Sequence, residues 1–224
     1  MNKKLMFALA VLVMVTLACS FTTVNTPTAQ PPTVVTGPQI LFQDDFSATN
    51  SGWDRATDDS YSTNYENGGY RINIVPANYS AFANPLQSFQ NDIRLEVDAT
   101  KIAGPDDNNA FGVICRYQDV DNYYYFYISS DGYVGIGMDN AGTKSIISSS
   151  DGYLTIASGI NSGSATNHIR ADCIGNTLTL YVNGTRVASA SEGTFTGGDI
   201  GLVARTYDVA GTDILFDNLF VYKP

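Results

Sequence analysis

The amino-acid sequence predicts an all-β fold of short antiparallel strands, either a sandwich or a barrel. Three observations carry that reading. From residue 39 onward, apolar and polar residues alternate with a period of two, the spacing that sends successive side chains to opposite faces of a strand. No stretch keeps the longer period of an amphipathic helix. Between the alternating runs stand pairs such as Asp131-Gly132, Gly175-Asn176 and Asn183-Gly184, which supply the positive φ angles of tight hairpins.

Taken in order, alternation and turn chemistry imply about thirteen strands, drawn from fourteen candidate segments. The candidate segments begin with ILFQDDF (40–46), YSTNYE (61–66), GYRINIV (69–75), SAFAN (80–84) and DIRLEVDATKI (92–102). They continue with NAFGVICRYQ (109–118), NYYYFYISS (122–130), GYVGIGMD (132–139) and TKSIISS (143–149). NHIRADCIG (167–175), TLTLYVNG (177–184), TRVASA (185–190), GDIGLVARTY (198–207) and DILFDNLFVYK (213–223) complete the set. In the last, Ile214 and Phe216 lie in one phase and Leu219 and Val221 in the other, so a bulge is expected near Asp217-Asn218. The motif SSDGY occurs at 129–133 and again at 149–153; two copies are too few for a solenoid and read as similar hairpin turns.

The runs LEVDA, GVICR, SSDGYVGI, IRADCIGNTLTLYVNGTRV, GDIGLVA and ILFDNLFV together resemble the concanavalin A-like lectin/glucanase superfamily. Within it the chain is most similar to laminin-G-like sandwiches and to the sandwich domain named for 3-keto-disaccharide hydrolases. The resemblance covers nearly all of residues 40 to 223 and implies a two-sheet antiparallel jelly roll, with sugars often held on a concave face. It implies little about function, because that fold hosts lectins, adhesion modules, hydrolases and structural domains.

Candidate site residues fall in three groups. In the aromatic strand, Tyr124, Phe126 and Ile128 share one side and Tyr123, Tyr125 and Tyr127 the other. The first side is expected in the core. The second is expected at the surface beside Gly112, Gly135 and Gly137, where missing side chains would leave a shallow trough, with Arg116, Glu96 and Asp98 as its polar groups. Flat rings with hydrogen-bonding neighbours suit a glycan; the competing readings are rings packed under a covering loop, or rings that only serve strand propensity. Glu96-Val97-Asp98 also looks like the start of the laminarinase-type motif, but Thr100 and Lys101 occupy the two positions of its closing Glu. Retaining hydrolysis needs a nucleophile and a separate acid, so a solvated acidic row is the favoured role for these two carboxylates. His168, the single histidine, starts a strand and fits no Ser-His-Asp spacing.

A structural calcium is the only cofactor considered. Asp45 and Asp217 are its candidate ligands, with Asp44, Asp106, Asp107, Asp119 and Asp121 as further hard oxygen donors. Aspartate is equally the usual turn residue. Cys-x-x-Cys pairs, phosphate loops and dinucleotide fingerprints are missing from the sequence.

The chain opens as a secretory signal peptide, with Lys3 and Lys4 ahead of an apolar run over 5–17. That run ends in Thr16-Leu17-Ala18-Cys19-Ser20, which resembles a bacterial lipoprotein lipobox with Cys19 as the lipidated residue, although Thr16 stands where an aliphatic residue is usual. The implied organisation is a lipoprotein signal peptide over 1–18, a lipidated Cys19 with a disordered Thr/Pro-rich tether over 19–38, and a sandwich domain over 39–224. The mature protein is then expected outside the cytoplasm on a membrane. Its formal charge of −10 becomes about −12 once Lys3 and Lys4 leave, which disfavours nucleic acid and anionic surfaces as partners. In an oxidising compartment the remaining pair, Cys115 and Cys173, each on an apolar row, is expected to form a disulfide; two buried free thiols are the alternative. Overall the sequence favours a glycan-binding module, then a structural or adhesive surface domain, then a hydrolase. Because the thioether lipid requires Cys19, a Cys19→Ser variant should lose metabolic lipid labelling and detergent-phase partitioning, and phase separation of cell extracts checks this.

Overall fold

A computed structural model describes residues 37–90 and 92–224. The signal peptide, Cys19 and the tether as far as residue 36 lie outside the described residues. The strands in chain order are β1 (Ile40–Asp44), β2 (Ala56–Thr57), β3 (Tyr61–Glu66), β4 (Gly69–Ile74), β5 (Ser80–Ala83) and β6 (Ser88–Phe89). Next come β7 (Ile93–Ala103), β8 (Asn109–Asp119), β9 (Asn122–Ile128), β10 (Tyr133–Asn140), β11 (Thr143–Ile146) and β12 (Thr155–Ile156). The last are β13 (Thr166–Ile174), β14 (Thr177–Val182), β15 (Thr185–Ser191), β16 (Gly198–Thr206) and β17 (Thr212–Tyr222). Every candidate segment forms a strand. The three that the sequence did not announce, β2, β6 and β12, are two-residue pairings too short to show alternation.

The strands form two antiparallel sheets. The nine-stranded sheet runs β15-β14-β13-β7-β17-β4-β3-β2, with β1 also on β17, and the eight-stranded sheet runs β11-β10-β9-β8-β16-β5, with β12 on β10 and β6 on β16. Their inner faces share one core. Leu95, Val97 and Ala99 of β7, Ile169 and Ala171 of β13 and Phe216 of β17 meet Phe111 and Val113 of β8, Tyr124 and Phe126 of β9 and Leu202 of β16. These side chains are fully or almost fully removed from water, and each of the valines, leucines, isoleucines and phenylalanines contributes roughly 1.5–3 kcal/mol by that burial.

Two local devices let the strands keep that face. At Asn183-Gly184 both residues have positive φ, 49° and 80°, which closes the β14–β15 hairpin with the twist its strands need. In β17 the register shifts between Asp217 and Phe220, with Asn218 at φ 52°. This is the bulge that the phase change called for, and Ile214, Phe216, Leu219 and Val221 are all buried as a result.

Cys115 of β8 and Cys173 of β13 form a disulfide between the two sheets, spanning 58 residues of chain. It lies in the shared core, where the alternation of both strands directs these side chains. Cross-linking so long a loop restricts the unfolded chain. Cys115→Ala should therefore lower the unfolding free energy by about 2 to 4 kcal/mol in urea titration, and neither sulfur should alkylate in the denatured, unreduced wild type.

Candidate functional site

β9 carries its aromatic residues on both faces, and both faces are covered. Tyr124, Phe126 and Ile128 face the inter-sheet core, as the alternation predicts. Tyr123, Tyr125 and Tyr127 face away from it and were expected at the surface, yet they are only 4, 4 and 5% exposed. They form a second cluster with Ala110, Ile114 and Val203, closed by Ile146, Leu154, Phe82, Tyr117 and Tyr207. The covering-loop reading therefore holds for most of their area. The glycines of β10 do not leave a trough, because neighbours occupy the space they free: the Tyr125 ring lies where a side chain on Gly137 would be, and the Leu154 methyl where one on Gly135 would be. Tyr125 also donates its hydroxyl to the Ser145 carbonyl at 3.1 Å. Removing such a ring costs on the order of 3–5 kcal/mol, so Tyr125 is a structural residue as well as part of the site.

The cover is incomplete. Beside it opens a cavity of 670 Å³, lined by Tyr125 and Tyr127 together with Tyr133, Tyr153, Tyr207 and Arg205. The rings are close-set, with the centroids of Tyr125 and Tyr127 4.6 Å apart and those of Tyr123 and Tyr125 6.2 Å apart. Arg205 stacks over Tyr207 at 5.1 Å. Asn109, also on the wall, is held by Ser130 and Thr212, and Lys144 pairs with the fully buried Asp139. Tyr153 is 72% exposed at the rim, near Ile156, which pairs with Tyr133 across β10 and β12. Aromatic faces edged by hydroxyls, an amide and a guanidinium can hold a ligand that is apolar on one side and polar at its margins.

Both SSDGY copies contribute to this wall. The first forms the β9–β10 turn, where Ser129 Oγ is bonded to Asp131 and accepts from Tyr133 N at 3.1 Å. In the second, Ser149 Oγ donates to the Tyr153 carbonyl at 2.6 Å and Tyr153 N donates to Asp151 at 3.2 Å. Ser129, Asp131 and Tyr133 of one copy and Gly152 and Tyr153 of the other line the cavity. The repeat was the sequence signal for these residues; Asn109, Lys144, Arg205 and Tyr207 carried none.

Three other expected site residues lie elsewhere. Arg116 was placed on the trough by simple alternation. Instead β8 breaks register after Cys115, with Arg116 at φ 53°, and the side chain turns inward. It is 3% exposed and donates to the carbonyls of Phe195 and Cys173 at 2.9 and 3.2 Å and to Asp92 at 3.3 Å. It therefore braces the two sheets beside the disulfide. Glu96 and Asp98 belong to β7 of the nine-stranded sheet and point out of its far face, so they share no surface with the tyrosines. There they flank His168, whose Nδ1 is 2.8 Å from Asp98 and Nε2 3.4 Å from Glu96, while Asn218 donates to the other Asp98 oxygen at 3.1 Å. His168 is thus a clamped mid-sheet residue rather than a free strand end.

Among the aspartates, Asp44 is buried and accepts from Trp53 Nε1 at 2.9 Å and Phe46 N at 2.8 Å, anchoring an aromatic cluster. Asp45 accepts from Ser47 N and Oγ at 3.1 and 2.7 Å. Burial, and then the negative charges of Asp98 and Asp45, hold the Asp217 carboxyl above its usual range. Among the described residues no three His, Cys, Asp or Glu side chains are grouped to hold one ion.

The fold and this cleft define a two-sheet antiparallel β-sandwich with an aromatic cavity on the outer face of its eight-stranded sheet. No family model and no curated protein matches the chain. Solved structures do. The carbohydrate-binding module CBM66 from Bacillus subtilis is 18% identical with a TM-score of 0.58, over 77% of this chain and 96% of that one. A Bacillus subtilis protein with a galectin-like fold is 9% identical with a TM-score of 0.60, over 84% and 97%. The Bacillus licheniformis β-glucanase is 13% identical with a TM-score of 0.58, over 84% and 100%. At these identities the likeness is one of fold.

Burial pushes the hydroxyls of Tyr125 and Tyr127 up from the ordinary phenol range, with the neighbouring tyrosines adding to the shift. A phenol that resists ionisation only when folded stabilises the protein fully below its unfolded pKa of about 10, and that contribution is lost as pH rises further. The urea midpoint should thus fall between pH 9 and 11.5. The double variant Tyr125→Phe/Tyr127→Phe should flatten that fall, as denaturation curves at several pH values will show.

Proposed function

We propose that the domain is a carbohydrate-binding module, held outside the cytoplasm by lipid on Cys19, and that the sugar lies in the cavity beside Tyr125 and Tyr127. The observation that carries this reading is the composition of the cavity wall: Tyr125, Tyr127, Tyr133, Tyr153 and Tyr207 with Arg205, Asn108 and Asp131 among them. A sugar ring has an apolar face of C–H groups and a hydroxyl edge, so stacked phenols and polar margins match it. The names of two similarly folded proteins, a carbohydrate-binding module and a β-glucanase, support the same direction. The secretory leader and lipobox-like Cys19 support display at a membrane, where a tether would let the module reach an extracellular polysaccharide.

The alternative placement of sugar chemistry, at Glu96 and Asp98, has less in its favour. Both carboxylates are engaged with His168, and the closing carboxylate of the laminarinase-type pattern is replaced by Thr100 and Lys101. Binding is tested by a broad glycan array on the mature domain, followed by calorimetry with the best ligand. Tyr153→Ala removes an exposed ring at the rim, so it should weaken binding about 2- to 10-fold while leaving the melting temperature unchanged. An unaltered affinity would move the site away from this cavity.

A further inference from the structure

The cations of the cavity wall are not equally engaged. Lys144 is paired with Asp139 beneath it, and Asp131 on the same wall accepts from Ser129 Oγ and keeps its charge. Arg205 is different. Among the described residues it makes no ion pair, and Nη1 reaches only Ser80 Oγ at 3.3 Å. Its Nε is shut away from water and has no acceptor. A desolvated guanidinium donor without a partner is costly; Arg205 itself lines the cavity wall.

The surroundings set the orientation of that cation. Arg205 projects from β16 in phase with Val203, away from the inter-sheet core, and the Tyr207 ring supports its plane at 5.1 Å. A guanidinium so held presents parallel N–H groups, whose spacing matches the two oxygens of a carboxylate. Tyr125, Tyr127 and Arg205 line the same cavity, so a sugar ring lying within it can carry its acidic substituent toward the guanidinium.

We infer that the cavity selects an acidic sugar, a uronic acid whose carboxylate is gripped locally by Arg205 against the repulsion of a chain with a formal charge of −10; this rests on the carbohydrate-binding reading above. The guanidinium supplies the anion specificity, and the tyrosines supply contact area common to any sugar.

Calorimetry on the mature domain separates the two levels of this reading. The probes are oligomers of galacturonate, glucuronate and mannuronate, their methyl esters, a neutral galactan and a sulfated galactan. A uronate should bind, and esterifying its carboxyl should weaken binding about 10- to 100-fold. Arg205→Gln should lower affinity for the acid by a similar factor and lower affinity for the ester much less. Arg205→Lys, which keeps the charge but loses the planar fork, should fall between. Should Arg205→Gln fail to fold, the acid-against-ester comparison on the wild type and the Lys variant still decide the matter. Equal affinity for acid and ester, or no effect of either substitution, overturns acidic-sugar selection while leaving a carbohydrate-binding domain. Preference for the sulfated galactan over every uronate overturns the carboxylate assignment. No binding to any probe, charged or neutral, overturns both readings.

Discussion

The structure depends on one strand that has to be covered twice. β9 carries five consecutive rings from Tyr123 to Tyr127, and alternation divides them between two faces. A strand at the rim of the sheet, or one with a polar outer face, could leave one side to water. β9 can do neither, because it lies between β8 and β10 and its outer side chains are phenols with large apolar bodies. The inner rings are covered by the other sheet. The outer ones are covered by β11 and the chain that follows it, through Ile146 and Leu154. Glycines at 135 and 137 make that cover close, since any side chain there would collide with Leu154 or with Tyr125 itself.

Covering a sheet face with a loop rather than a second sheet has a consequence for function. A sheet meets its partner along whole strands, whereas a loop touches at a few side chains and leaves gaps between them. Here the gap is the cavity, where the largely covered rings of Tyr125 and Tyr127 meet the more exposed rings of Tyr133 and Tyr153. The same phenols therefore serve stability and line the cavity. The rim ring Tyr153 belongs to the loop, while Arg205 comes from the sheet below, so the site joins a rigid floor to a segment with fewer constraints.

The far face of the molecule has another character. The outer surface of the nine-stranded sheet is laced with ion pairs, among them Arg71 with Asp213 and Glu66, and Arg94 and Arg170 with Asp172, and His168 lies between Asp98 and Glu96. Pairs of this partly exposed kind contribute little each. Their effect is to satisfy the charges of a hydrated face, and Glu96 and Asp98 are members of that network. The acidic row read from DIRLEVDATKI is real; its histidine partner comes from the adjacent β13, a neighbour the local pattern cannot name.

What the sequence determined by itself were properties set by nearest neighbours along the chain. Period-two alternation placed Tyr124, Phe126, Cys115 and Cys173 in the core, a phase change in DILFDNLFV located the bulge at Asp217-Asn218, and Asn183-Gly184 marked a hairpin. The repeated SSDGY pointed to two turns, which prove to share one cavity. What only the tertiary structure decided were the relations between distant segments. Strand order put Glu96 on one sheet and Tyr125 on the other. A register break with positive φ at Arg116, a residue that gives no sign of it, turned that side chain into the sandwich. Folding back of the chain after β11 buried the outer tyrosines. Each of these follows from contacts among residues far apart in sequence, whereas the alternation of a strand reports only which residues share a face and not what comes to lie against it.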